Sequence, residues 1–108
     1  IVTAARSAGF QYVLVATVLP RTSLYAGSSL ARDQFEAEQR ALNNLIRANS
    51  AKADGIVDIA STSPMGDFSR VTDPVLYAGS LHPTAVGHGF LAPIFAKAIN
   101  DLETRQLQ

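Results

Sequence analysis

The residue of this sequence that is best placed to do acid–base chemistry is the histidine at position 82. His82 comes just before Pro83 and Thr84, at the end of a long stretch, 61–82, that shows neither helical nor strand periodicity. A histidine exchanges protons near neutral pH, and Pro83 and Thr84 can fix the backbone that follows it. Loops of this length usually have a function. The pattern favours a general base at position 82, and its alternative is an exposed histidine without a role.

Four other residues could belong to a site, and each also has a simpler explanation. His88 follows His82 by six residues, but His82 lies before the helix and no carboxylate completes a ligand set, so we predict no metal site. Arg21 follows the first predicted strand, where it could contact a substrate or simply be solvated. Met65 and Phe68 could line an acyl pocket or anchor their loop to the core.

The composition narrows the class of protein. The chain has 108 residues, with nine Lys plus Arg against nine Asp plus Glu, so its formal net charge is zero. A nucleic-acid-binding protein would show a basic surplus, so we predict no nucleic-acid partner. The absence of cysteine excludes disulfides, thiolate metal sites and a cysteine nucleophile. The longest uncharged apolar run is about eight residues, far short of the roughly 20 that span a bilayer, which predicts no membrane-spanning helix.

Hydrophobic periodicity predicts an alternation of helices and strands. The apolar runs 10–20 and 55–60 are short and rich in β-branched residues, which is typical of strands buried on both faces of a parallel sheet. Residues 30–49 and 84–105 have helical spacing, and 1–9 is typical of a helix that ends at a glycine. This order predicts an α/β fold. The face predicted to be buried on helix 30–49 consists of Ala31, Phe35, Leu42, Leu45, Ile46 and Asn49.

The predicted fold also places the candidate site. In open α/β sheets, ligands bind beyond the carboxyl ends of the strands, which here means the segments 20–29 and 61–82. Two strands do not form a stable sheet alone, and the sequence opens within a helix, so we expect residues 1–108 to be the carboxyl-terminal part of a single domain. The bare edge of the first strand should then pair with the amino-terminal half of that domain or with a second copy of the chain.

The heptapeptide His82-Pro83-Thr84-Ala85-Val86-Gly87-His88 resembles the last conserved block of the SGNH, or GDSL-type, hydrolases. The segment 4–9, the strand after it and Pro20-Arg21 also look like a later βα unit of that family. The resemblance implies a flavodoxin-like α/β/α sandwich that hydrolyses esters without a cofactor. His82 would be the general base, and the nucleophilic serine would come from an amino-terminal half outside this chain. The substrate would be a lipid, an acylated sugar or a small ester.

The sequence departs from the family pattern at two points. The family aspartate that orients the histidine lies three residues before it, and that position is Gly79 here. Asp73, Asp67 or a backbone carbonyl could take its place, or the activity could be lost, leaving a structural or binding domain. No Gly-Asp-Ser and no Gly-x-Asn-Asp occurs in the chain, so none of its own serines has the context of the nucleophile.

Overall fold

A computed structural model describes residues 1–22 and 29–106 of the chain, and these residues form a small α/β structure. Of the predicted site segment 20–29, it therefore describes only the two ends. The helices and strands, in chain order, are α1 (Val2–Ser7), β1 (Leu14–Ala16), α2 (Ser29–Ala48), β2 (Gly55–Val57), β3 (Tyr77–Ala78), β4 (His82–Pro83) and α3 (Ala85–Gln106). Two short 3-10 turns, Ile59–Ser61 and Phe68–Arg70, lie between β2 and β3.

The first two strands form a parallel pair, as the sequence predicts. Leu14 lies opposite Gly55 and Ala16 lies opposite Val57. Each strand has only three residues, so the predicted runs 10–20 and 55–60 are longer than the strands themselves. The described residues show a two-stranded parallel sheet rather than a complete flavodoxin-like sandwich.

Two aspartates bracket the parallel pair. At its start, the Asp54 carboxylate accepts a 2.7 Å hydrogen bond from the Val13 N–H and a 3.1 Å bond from Arg6. At its end, the Asp58 carboxylate accepts the Thr17 hydroxyl at 3.1 Å and the Arg47 Nε at 2.8 Å. Side chains at both ends therefore reinforce a backbone ladder that is short.

The predicted structureless stretch 61–82 is wrong in part, because it is folded into the core. Met65 and Val71 are fully buried, and Leu76 and Tyr77 are only 3% and 1% exposed. They pack in one cluster with Val57, Ile59 and Leu91, and β3 forms within this stretch. Met65 is thus part of the core and anchors the segment to α3.

The predicted buried face of α2 is also wrong in part. Leu42 and Leu45 are 46% and 67% exposed, whereas Gln39 and Asn43 are 6% and 2% exposed. The two amides are buried because they hydrogen-bond the backbone of Val18: Gln39 and Asn43 both donate to its carbonyl, at 2.6 and 2.9 Å, and Asn43 accepts its N–H at 2.7 Å. Helical periodicity identifies the helix, but it does not reveal that an amide pair fills its buried positions.

Helix α3 packs unusually close to the base of the β3–β4 hairpin. A Cβ atom placed on Gly87 would lie 2.4 Å from the Leu76 carbonyl oxygen and 2.8 Å from the Met65 side chain. Two residues further along the same helix, a Cβ on Gly89 would meet nothing within 4 Å. Of these two helical glycines, Gly87 is therefore the one that packing requires.

Replacing Gly87 by alanine should lower the free energy of unfolding by about 1–3 kcal/mol, because the added methyl meets a backbone oxygen that cannot easily move. Gly89→Ala is the matched control. It should leave stability unchanged or raise it by up to about 1 kcal/mol, because alanine favours the helix. Urea unfolding of the two variants measures both effects. Equal stabilities for the two variants would contradict the close packing of α3 on the hairpin.

Candidate functional site

His82 lies on the second strand of a tight antiparallel hairpin. Ala78 pairs with His82 and Tyr77 pairs with Pro83, and the turn between them has left-handed backbone at Gly79 (φ 60°) and Ser80 (φ 54°). The prediction that His82 ends a loop is therefore wrong. Two consecutive left-handed residues are typical of turns that reverse a hairpin tightly.

The base of this hairpin is fixed by buried hydrogen bonds. The Tyr77 hydroxyl donates to the Met65 carbonyl at 2.5 Å, and the Thr84 N–H donates to the Leu76 carbonyl at 2.9 Å. Burial, with a smaller contribution from the Asp67 carboxylate, raises the pKa of Tyr77 to about 12, so its hydroxyl remains protonated and able to donate. The strand that carries His82 is thus attached rigidly to the core.

Thr84 joins the hairpin to α3. Its hydroxyl donates to the Val75 carbonyl and accepts the Gly87 N–H at 3.1 Å. The second contact satisfies a free N–H of the first helical turn, so Thr84 caps α3 as the sequence predicts. His82 therefore lies three residues before Ala85, the start of a long, well-anchored helix.

The hairpin tip meets the segment that leaves β1. The Thr22 N–H donates to the Ser80 carbonyl at 3.2 Å. The segment after the first strand and the end of the 61–82 stretch are therefore in contact, as expected for the carboxyl edge of a parallel sheet. The His82 side chain is exposed, and none of the described residues hydrogen-bonds its imidazole. In this part of the chain the imidazole is therefore accessible and makes no intramolecular hydrogen bond.

The two candidate carboxylates in the 61–82 stretch have other partners. Asp73 accepts a 2.9 Å hydrogen bond from Arg70 and another of 2.9 Å from the Val75 N–H. The Val75 N–H, followed by Arg70, holds the pKa of Asp73 below its usual value. Asp67 accepts the Ser63 hydroxyl at 2.6 Å. Within the described residues neither carboxylate is hydrogen-bonded to His82.

Arg21 lies on an aromatic side chain. The guanidinium carbon is 5.4 Å from the centre of the Phe35 ring, and the Phe35 ring meets Phe68 edge-on at 6.5 Å. Arg21 Nε is buried and has no hydrogen-bond partner among the described residues. Arg21 is therefore half-buried on a ring rather than fully solvated, and Phe68 links its loop to α2.

Two open cavities flank Phe68 on the side of α2. The larger, about 520 Å³, is lined mainly by polar residues of α2 and of the segment after β2, among them Asn44, Arg47 and Asp67. The smaller, about 330 Å³, includes Thr22 among its lining residues. His82 lines neither cavity. Thr22 lines the smaller cavity and also hydrogen-bonds the hairpin.

Asp58 is the charged residue that the sequence analysis missed. Besides Thr17 and Arg47 Nε, its carboxylate accepts the Arg47 Nη2 at 3.0 Å and the Ser61 hydroxyl at 2.8 Å. These partners, Arg47 first, hold the pKa of Asp58 below its usual value. Its position directly after a buried strand is the signal that could have identified it.

Neither a metal site nor a membrane helix is found in the described part of the chain. No three His, Asp or Glu side chains of residues 1–22 and 29–106 come together in a way that could hold a metal ion. His88 is an exposed residue of α3, whereas His82 precedes that helix. None of the described helices has the length and apolar character needed to cross a bilayer.

Lowering the pH should destabilise the fold through Asp58. Because its pKa is lowered in the folded state, its contribution is complete above the unfolded value of about 4 and is lost as the pH falls through the lower folded value. Asp58→Asn should lower the stability at neutral pH. Its stability should then fall less on acidification than that of the unmodified chain, as measured by thermal unfolding across pH. Asp101→Asn, which removes an exposed pair with Lys97, is the control and should lower stability little. Identical pH profiles for Asp58→Asn and the unmodified chain would rule this role out.

Comparison with known proteins adds no relative to this description. No protein-family profile, no curated protein sequence and no solved structure matches the chain. The site therefore has to be judged on its own geometry. That geometry is a histidine on a rigid hairpin, in contact with the segment that follows the first strand.

Proposed function

We propose that this chain supplies the general-base histidine of a serine ester hydrolase. The observation that carries the proposal is the setting of His82: an exposed imidazole without a partner among the described residues, on a hairpin fixed by Tyr77 and Thr84. A base needs a fixed position and a free nitrogen. The family-like block 82–88 adds the expectation of ester chemistry.

In this proposal His82 acts on a serine that this chain does not provide. The imidazole removes the proton from the serine hydroxyl as the oxygen attacks the ester carbonyl, and it returns the proton to the leaving alcohol. Residues 1–108 would then form the carboxyl-terminal part of a single flavodoxin-like α/β/α domain. Its amino-terminal half would be the partner that carries the nucleophile.

Arg21 is the candidate for contact with the substrate. Its guanidinium is held on Phe35 and follows the carboxyl end of β1, next to Thr22, which bonds the hairpin tip. A fixed guanidinium could orient a carbonyl or another polar group of the ester. The substrate remains one of three classes: a lipid, an acylated sugar or a small ester.

A second candidate is a domain of this family that has lost its activity and has a structural or binding role. The observation that favours it is that, within residues 1–22 and 29–106, no carboxylate is hydrogen-bonded to His82. Gly79 occupies the usual position, and Asp73 is bound to Arg70 and Val75. Asp73 would have to give up both bonds to orient the imidazole.

Replacing His82 by alanine in the complete protein should lower its turnover of p-nitrophenyl esters by about 10⁴–10⁶, because the serine then has no base. His88→Ala is the matched control, since it removes the same side chain six residues away from an exposed helical position. It should change turnover little. Unchanged hydrolysis after His82→Ala would exclude His82 as the base and leave the inactive domain as the better explanation.

Introducing an aspartate at position 79 should raise turnover about tenfold or more, because a carboxylate near the imidazole stabilises its protonated form. A side chain fits there: a Cβ atom on Gly79 meets nothing within 4 Å, and aspartate tolerates a left-handed backbone better than most residues. Gly79→Asn is the control, with the same shape and no charge. Steady-state kinetics of both variants measures the effect.

Asp73→Asn completes this comparison. If Asp73 already orients His82, Asp73→Asn should lower turnover while circular dichroism shows an intact fold, and Gly79→Asp should add little. If the imidazole acts without a carboxylate, Asp73→Asn should leave turnover unchanged. A complete protein inactive in every form, including Gly79→Asp, would support the binding or structural role.

A further inference from the structure

The outer edge of β1 presents unused backbone groups. The residues on either side of β1 show which way its backbone faces: the Val13 carbonyl accepts the Asp54 N–H, and the Thr17 N–H donates to the Val57 carbonyl. Alternate residues of an extended strand face the same side, so Val15 also faces β2. The backbone groups of Leu14 and Ala16 therefore face away from β2. In the described part of the chain, β1 pairs with β2 alone.

Towards the carboxyl end of β1, the unused backbone groups stop at Ala16. Val18 is the next residue that faces outward, and Gln39 and Asn43 already occupy its N–H and its carbonyl. The outer edge of β2 is used more fully, because Arg105 donates to the Asp54 carbonyl and the Ser61 N–H donates to the Asp58 carbonyl. The edge of β1 is thus the better pairing surface.

Exposed apolar side chains lie along both faces of this edge. On the α2 face, Leu45 is 67% exposed and lines a cavity of about 250 Å³ together with Val15. On the α3 face, Ile99 is 48% exposed and shares a cavity of about 510 Å³ with Tyr12. A segment that pairs with Leu14 and Ala16 would cover apolar side chains on both of its faces.

The chemistry of the edge specifies its occupant. It must be an extended, uncharged segment that is apolar on both faces and offers its own unused N–H and C=O groups. The strand β1 of a second copy meets each of these requirements, because residues 12–18 carry no charge and Leu14 and Val15 point to opposite faces.

We infer that two copies of this chain pair antiparallel through β1, about a two-fold axis at Val15. Leu14 of one copy then exchanges hydrogen bonds with Ala16 of the other, and the open groups of both copies are used. Because the axis is perpendicular to the sheet, each α2 lies beside the α2 of the other copy, and Leu42 and Leu45 of both become buried. The pairing concerns the 108-residue chain by itself; in the proposed ester hydrolase, the amino-terminal half of the domain would occupy this edge instead.

Sedimentation equilibrium of the 108-residue chain tests this pairing. We expect a species of twice 11.5 kDa that dissociates on dilution. Leu45→Asp should weaken the dimer by at least about a hundredfold, because each dimer loses two buried leucines and gains two facing charges. Val86→Asp is the control: Val86 is 51% exposed, at the opposite end of α3 from Gln106, which bonds Tyr12. It should leave the dimer unchanged.

Ala16→Pro provides a second, independent test. Proline removes the outward N–H of Ala16, which β2 does not use, and should also weaken the dimer. Circular dichroism checks that each variant is folded. If Ala16→Pro does not fold, Leu45→Asp alone tests the inference. A monomer at every concentration, an open-ended aggregate, or a dimer that survives Leu45→Asp would each overturn the inference. The first of these results would mean that a different polypeptide covers the edge.

Discussion

The parallel strands are only three residues long, and the rest of the structure depends on the side-chain contacts that stabilise this short pair. A backbone ladder of this length holds few hydrogen bonds, so the ends of the pair matter more than its middle. Asp54 closes one end and Asp58 closes the other, and Asp58 bonds side chains from β1's continuation, from α2 and from the first 3-10 turn. The position of α2 and the course of the following segment both depend on that carboxylate.

The parts of the fold that depend on local chemistry could be predicted from the sequence. Parallel pairing follows from two short, apolar, β-branched runs with a helix between them. The cap at Thr84 and the helix end at Gly9, which has a φ of 98°, follow from the conformational preferences of those residues. In each case the information lies within a few neighbouring residues.

The parts that depend on distant contacts could not be predicted. Gln39 and Asn43 are buried because the Val18 backbone needs partners, and nothing near them in the sequence reveals that need. The β3–β4 hairpin has strands of only two residues, too short to produce an alternating pattern, so the sequence alone predicts a loop at His82. For the candidate site, the sequence predicts a general base at His82, beyond the carboxyl ends of the strands, and that role stays a prediction. The partners of Arg21 and Asp73 depend on side-chain packing that a single sequence does not record.

The contact between α2 and Val18 bears on how this sequence can vary. The two amides hold the main chain of residue 18 and leave its side chain 37% exposed. The identity of that side chain is therefore almost irrelevant to the contact, and any residue with a backbone N–H can occupy the position. The contact depends instead on the side chains at positions 39 and 43, where a shorter, longer or apolar residue would leave the main-chain groups of residue 18 without hydrogen bonds. In related sequences, variation should be tolerated at 18 and selected against at two polar helical positions that resemble ordinary surface residues.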